Sequence, residues 1–66
     1  MRTIADVVKE LREEMLMTQK EFGNEFGVVS VSVSRWENKH SSPTISQKRK
    51  LRDLCSKYHV SWIDNK

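Results

Sequence analysis

The 66-residue chain lacks features that would place it in several other classes of protein. It has a single cysteine, Cys55, which excludes an internal disulfide framework and suits a reducing compartment. No apolar run approaches the roughly 20 residues that a membrane-spanning helix needs. Residues 1–10 also lack the apolar segment of a secretory signal peptide. We therefore expect a cytoplasmic protein with no membrane partner.

Residues that would support catalysis or metal binding are sparse. The sequence has no glycine-rich phosphate loop and no nucleophile elbow, and its carboxylates are spread over positions that face solvent. Cys55 and His59 are four apart, but no further ligands complete the roughly four that tetrahedral zinc needs. Cys55 lies on an apolar stripe, so it is better read as an inert core thiol. We expect no enzymatic activity, no metal and no cofactor.

The composition fits one small domain that spans residues 1–66. Hydrophobic residues make up 36% and charged residues 32%, as in a soluble globule with a single core. Residues 1–33 carry four Lys/Arg and six Asp/Glu, a net −2, whereas residues 34–66 carry eight and three, a net +5. This asymmetry is consistent with a polyanionic partner, and equally with a solvated basic face.

The N-terminal segment has the pattern of an α-helix. Thr3 is suited to cap it, and Asp6 lies in the first turn, where the helix dipole favours an acidic side chain. The apolar residues recur on one face, at Ile4, Val7, Val8, Leu11 and Met15. No glycine follows to stop this helix, so the pattern leaves its end open.

Two further segments begin with a capping-box pattern, Thr18 with Glu21 and Thr44 with Gln47. The helix after Thr18 is about eight residues long and ends at Gly27, which is suited to a left-handed conformation. Its apolar face is Phe22 and Phe26. The helix after Thr44 has a buried stripe at Leu51, Leu54, Cys55 and Tyr58. The C-terminal Trp62 and Ile63 are expected to pack on the core.

Residues 29–34 alternate valine with serine, which is the usual pattern of a half-buried strand. The rest of the chain offers no second strand, and a lone strand would leave its backbone groups unpaired. Helical spacing instead places Val29, Val33 and Trp36 on one face. The sequence therefore predicts a helix over residues 29–37 whose serines and arginine point outward.

The stretch 19–38, QKEFGNEFGVVSVSVSRWEN, resembles the helix-turn-helix of the Cro/C1 repressor family, also called the XRE family. Gly23 stands where the second helix of such a motif crosses the first, and Gly27 stands at the turn. The motif's apolar positions are occupied by Phe22, Phe26, Val28, Val33 and Trp36. Its helix start is matched by Thr18-Gln19, its SRWE by residues 34–37, and its LR by Leu11-Arg12. The resemblance extends over roughly residues 3–60.

The resemblance implies an all-α fold, a small four- to five-helix bundle of the lambda-repressor-like type. Its helix-turn-helix would occupy about residues 18–38, and the last helix would be short or frayed. The chain departs from the family at Val29, where a serine or threonine usually caps the recognition helix, and Ser30 is expected to take over that cap. It also carries about three extra residues after Pro43, which weakens any transfer of roles beyond Ser42.

The resemblance further implies which residues would bind DNA. The outward positions of the recognition helix would read bases, with Ser32 at the margin: Ser30, Val31, Ser34 and Arg35. The phosphate contacts would come from the start of the preceding helix and from the following loop: Gln19, Asn38, Lys39, His40 and Ser41. Two alternatives stay open, namely that Val31 packs inside and that Gln19 only faces solvent. Lys48, Arg49 and Lys50 either extend the phosphate footprint or form a solvated helix face.

Four residues are expected to have structural roles. The family often pairs an arginine of the first helix with the glutamate of the WE dipeptide, so we expect a partly buried Arg12–Glu37 ion pair. Trp36 is expected in the core. Trp62 either caps the core or lies in a dimer contact.

The function implied is sequence-specific binding of double-stranded DNA by a prokaryotic or phage transcriptional regulator, most often a repressor. Such a protein would bind a roughly palindromic operator as a weak or DNA-assisted homodimer, with helix 29–37 in the major groove. The alternative is an antitoxin or adaptor that uses the same fold mainly to hold a partner protein, such as a toxin. Binding that weakens steeply as the salt concentration rises would indicate DNA rather than a partner protein.

Overall fold

A computed structural model describes residues 2–63 as four α-helices, with no strand in that range. They are α1 (Ile4–Glu14), α2 (Gln19–Phe26), α3 (Ser30–Glu37) and α4 (Ile45–Tyr58). The all-helical prediction is confirmed, and the alternating stretch is helical. The predicted bundle of four to five helices is confirmed at its lower number within the described residues, because 60–63 follow α4 without helical structure. Residues 64–66 of the predicted C-terminal segment lie outside the described residues.

Three of the four helices begin with a complete capping box, and each uses threonine as its N-cap. Thr3 caps α1 with Asp6, Thr18 caps α2 with Glu21, and Thr44 caps α4 with Gln47. In each box the threonine hydroxyl accepts from the backbone N–H three residues on, at 3.1 to 3.3 Å. The hydrogen bonds from Thr3 lower the pKa of Asp6. These helix starts are where the sequence places them.

The start of α3 differs from the prediction by one residue. Its N-cap is Val29, with no side-chain cap, and Ser30 is the first helical residue. The expectation that Ser30 caps α3 is therefore wrong. The N–H of Ser32 instead donates to the carbonyl of Val29 at 3.0 Å, which tightens the first turn.

Every helix ends in the same backbone motif. The residue after the last turn is left-handed, and the next N–H donates to the carbonyl five residues earlier, as in a Schellman motif. The four left-handed residues are Leu16 (φ 58°), Gly27 (69°), Lys39 (65°) and His59 (61°). The closing bonds measure 3.1, 2.9, 2.9 and 2.9 Å in the same order. Helix α1 thus stops cleanly without glycine, because Leu16 takes the strained conformation.

The core is built from the predicted apolar faces of the four described helices, together with Val60, which follows α4. Its buried members are Val7, Val8, Leu11, Phe22, Val33, Trp36, Leu51, Cys55 and Val60. Trp62 and Ile63 are partly buried against this cluster, as predicted. Val29 is the exception, since this residue is 67% exposed. As an N-cap it precedes the helical turn, so its four-residue spacing from Val33 does not bring it to the buried face.

The angle between α2 and α3 depends on two glycines. A Cβ on Gly23 would lie 2.6 Å from the backbone oxygen of Val28, so only glycine lets the turn pass this close to α2. Gly27 meets no atom within 4 Å but has a φ of +69°. Glycine is therefore required at position 23 because there is no space for a Cβ, and it is favoured at position 27 because the backbone is left-handed.

Alanine at these two glycines should separate those constraints. We expect Gly23→Ala to lower the free energy of unfolding by about 2 kcal/mol, because a backbone oxygen must shift. Gly27→Ala should lower it by about 1 kcal/mol through left-handed strain alone. Urea unfolding measures both. The exposed neighbour substitution Asn24→Ala is the control, with a change within about 0.5 kcal/mol, and equal values for all three variants would contradict the close approach.

Leu16 should be replaceable by glycine with a gain in stability. Leu16 is 89% exposed, so little packing is lost, and glycine adopts the left-handed conformation without a Cβ penalty. We expect Leu16→Gly to raise the free energy of unfolding by about 0.5–1 kcal/mol. This is the difference between the backbone strain that glycine relieves and the extra conformational entropy that glycine gives the unfolded chain. Leu16→Ala retains the strain and should leave stability unchanged. A lower melting temperature for Leu16→Gly than for Leu16→Ala would show that the strain is absent.

Candidate nucleic-acid interface

A polar junction joins α1, α2 and α3 through the carboxylate of Glu37. Arg12 donates to it from Nε (2.6 Å) and Nη2 (3.2 Å), in the two-pronged geometry that suits a guanidinium. The side chains of Arg12 and Glu37 are 17% and 7% exposed. The hydrogen bonds to Glu37 raise the pKa of Arg12. Arg12 Nη1 also donates to the carbonyl of Met17 at 3.1 Å, which fixes the connection from α1 to α2.

Gln19 is the third member of this junction. It is the first residue of α2, and its Nε2 donates to Glu37 Oε1 at 3.3 Å. The side chain is half-buried, so it does not simply face solvent. The first backbone hydrogen bond of α2 runs from the N–H of Phe22 to the carbonyl oxygen of Thr18, at 2.9 Å. The N–H groups of Gln19 and Lys20 precede it, at the positive end of the helix dipole.

The outward face of α3 carries the predicted base-reading residues. Arg35 and Val31 are exposed, Val31 by 55%, so Val31 does not pack in the core. Ser30, Ser32 and Ser34 are half-buried. The one acidic residue of α3 is Glu37, which is turned inward and neutralised by Arg12. This face therefore carries polar groups and one exposed apolar side chain, that of Val31, and it has no exposed carboxylate.

The loop after α3 carries four of the five predicted phosphate-binding residues, and all four are exposed: Asn38, Lys39, His40 and Ser41. Asn38 is also a helix cap, since its Nδ2 donates to the carbonyl of Ser34 at 2.8 Å. The N–H of His40 bonds the carbonyl of Arg35 at 2.9 Å. These bonds hold the loop against the end of α3, near the junction that contains Gln19.

The three basic residues near the start of α4 are not equivalent. Lys48 is half-buried, whereas Arg49 and Lys50 are exposed. Lys50 donates to the carbonyl of Glu25, and its Nζ lies 5.3 Å from the centroid of the Phe26 ring. Lys50 therefore fastens α4 to the end of α2.

One surface feature was missed by reasoning from the sequence. A shallow hollow of about 230 Å³ lies between α2 and the start of α3, lined by Lys20, Asn24, Val28, Val29 and Ser30. Helical spacing assigned Val29 to the core and so hid it. The signal available was the departure at the cap position, where valine stands in place of a hydroxyl residue.

Cys55 is buried in the core, and burial raises the pKa of its thiol. His59, four residues on, is exposed and ends α4. Over residues 2–63, His, Cys, Asp and Glu form no group of three or more able to hold a metal ion. Within the same residues, no helix has the length and apolar character to cross a membrane.

Comparison with known proteins agrees with this geometry. A family model described as helix-turn-helix matches residues 8–62, which include α2, α3 and the turn between them. No curated protein and no solved structure shows significant similarity to the chain.

Two ion pairs, Arg12–Glu37 and Arg2–Glu10, differ in burial and can be compared directly. Arg2–Glu10 is a single contact of 2.5 Å whose glutamate side chain is 51% exposed. We expect Glu37→Ala to lower the free energy of unfolding by about 3 kcal/mol, because it strands a partly buried guanidinium. Glu10→Ala should cost less than about 1 kcal/mol. Thermal unfolding checks both, and a Glu37→Ala protein that melts within a degree of wild type would exclude a stabilising role for the junction.

Proposed function

We propose, because the chain belongs to the Cro/C1-type (XRE) helix-turn-helix family, that it regulates transcription by sequence-specific binding of double-stranded DNA. In this family's motif the second helix enters the major groove and the first lies across the backbone. Here α3 would be the inserted helix. We further propose a single domain over residues 1–66, acting as a repressor in a prokaryote or phage, in the cytoplasm at the nucleoid.

The observation that carries the proposal is the outward face of α3. Arg35 is exposed on it, and guanidinium is the group best suited to bidentate contact with O6 and N7 of guanine. Ser30 and Ser34 add hydroxyls that discriminate weakly. The inward turn of Glu37 removes the one carboxylate of α3 from the surface that would meet DNA. Such a face tolerates a polyanion and still offers groups that distinguish bases.

Phosphate contacts would then come from one end of α3. Gln19 is tied to Glu37, and the loop 38–41 follows directly, so both groups lie near the C-terminal end of the helix. The N–H groups at the start of α2 would bind a phosphate oxygen, and Lys39 would add a positive charge. Of the three basic residues of α4, Arg49 would be the one left to extend this footprint, because Lys48 is half-buried and Lys50 is engaged with α2.

Binding as a homodimer would match a palindromic operator, with half-sites about one helical turn, roughly 34 Å, apart. Trp62 is partly buried against the core, which favours its role as a core cap over a dimer contact. The dimer would then be weak and assisted by DNA.

A second function is favoured by two exposed apolar side chains away from α3. Leu16 and Ile45 are 89% and 68% exposed. A partner protein, such as a toxin held by an antitoxin, would cover surfaces of this kind. Its binding would depend on Leu16 or Ile45 and would not weaken log-linearly with salt.

The proposal is tested by selection from a pool of randomised duplexes at about 150 mM salt, where non-specific binding is already weakened. An enriched inverted repeat would support a sequence-reading dimer. A retained pool that matches its input would overturn specific DNA binding and direct attention to a protein partner.

Two substitutions should then act differently on the selected operator. Arg35→Ala should cost about 1–3 kcal/mol and relax the preference at one base pair of each half-site. Lys39→Gln should weaken binding to all sequences alike and reduce the slope of log K against log salt by about one per protomer. Fluorescence titrations over a salt series measure both. If Arg35→Ala left base preference intact, α3 would not be reading the operator through this arginine.

A further inference from the structure

We infer that Val29 and Val31 contact the C5-methyl groups of thymines in the major groove, so that each operator half-site places thymine opposite the start of α3. The inference rests on the proposed function, because it needs α3 in the groove. It adds Val29 to the residues that determine specificity, and it names the base chemistry that Val29 and the already expected Val31 select. Val29 is the less expected of the two.

Neither packing nor folding explains a valine at position 29. Its side chain is 67% exposed, so it adds little to the core. Valine is among the poorest N-caps, whereas serine and threonine are among the best. Each of the other three helices in the described part of the chain has threonine there. At α3 alone an apolar side chain stands where a hydroxyl would stabilise the helix.

The surroundings of Val29 suit DNA. Val28 and Val29 give an apolar lining to the hollow between α2 and α3, and Lys20 and Asn24 line its other side. The first turn of α3 has no acidic residue. A lysine and a helix start without a carboxylate favour a polyanion with local apolar groups over the apolar face of another protein.

The major groove offers such a group in one common base. Thymine carries a C5-methyl group there, and the other three bases present mainly hydrogen-bonding groups. The N-terminal residues of a recognition helix are those that contact base edges. Val29 is the N-cap of α3 and Val31 its second residue, so both stand at the end that would reach the bases. The two residues are 67% and 55% exposed, so each has surface left to bury against a methyl group.

The test uses the operator obtained by selection, with each thymine replaced singly by uracil. Uracil keeps the base pair and its hydrogen-bonding groups and removes only the methyl. We expect about a fourfold loss of affinity at one or two thymines of each half-site, the effect of removing one buried methyl group. At the remaining thymines the affinity should not change.

A second arm asks whether 5-methylcytosine is the natural source of the methyl group. Each cytosine of the operator is methylated singly at C5, and the affinities are compared with those of the uracil series. Sensitivity to uracil without sensitivity to cytosine methylation supports thymine. Binding that responds only to cytosine methylation would overturn the assignment to thymine.

Variants then connect the effect to the two valines. Val29→Ser removes both methyls and supplies a capping hydroxyl, so it should raise Tm by about 4 °C while it lowers operator affinity. These opposite changes separate lost recognition from misfolding. Val29→Ala and Val31→Ala should each abolish the thymine-to-uracil difference at one position. Ile45→Ala removes a similarly exposed side chain from the start of α4 and should leave every difference unchanged.

The outcomes separate this inference from the function it rests on. A pool without enrichment would overturn both. An operator that is selected and bound, but is indifferent to uracil at every thymine, would overturn the methyl contacts and leave DNA reading intact. Thymine-to-uracil differences that persist in both alanine variants would assign the contact to other residues and overturn the role of these valines.

Discussion

One carboxylate, that of Glu37, connects three of the four helices. It accepts from Arg12 of α1 and from Gln19 of α2, and it stands at the end of α3. Because the guanidinium also bonds the carbonyl of Met17, the connection from α1 to α2 is fixed by the same group. The orientation of α3 relative to the start of α2 therefore depends on a charged group that is almost fully removed from water.

This junction has an electrostatic consequence for the surface. A carboxylate on α3 would repel DNA if it faced outward, but here it is turned inward and paired. The same carboxylate instead accepts a hydrogen bond from Gln19 at the start of α2, where under the proposed function a phosphate would bind. At the other end of α3 the close approach at Gly23 sets the path of the turn. The helix is thus held at its end by charge and at its beginning by steric fit.

The parts of the fold that depend on local interactions could be predicted from the sequence. The three threonine capping boxes involve residues three apart, and the apolar stripes of α1 and α4 follow from helical spacing. Val29 was misassigned because a spacing rule that holds within a helix was extended to a residue that precedes it. The end of α1 could not be read from sequence, because Leu16 adopts a left-handed conformation that usually signals glycine. Lys39 and His59 adopt the same conformation after α3 and α4.

The contacts within the candidate site were less predictable from the sequence than the helices were. Resemblance to a family supplied the pairing of Arg12 with Glu37, which are far apart in the chain. The bond from Gln19 to the same carboxylate depends on how α2 and α3 are placed, and no short-range pattern contains that information. Exposure of the Val29 side chain likewise follows from the exact start of α3.

The residues on the outward face of α3 are different from those that pack in the core. Val33 and Trp36 bury the inner side of the helix, while Val29, Val31 and Arg35 lie in solvent. Substitutions at sites without shared partners have nearly additive effects. Under the proposed function, the DNA sequence that is bound would therefore depend on residues other than those that stabilise the fold. Substitutions at those exposed positions would then change the preferred operator and leave the fold intact.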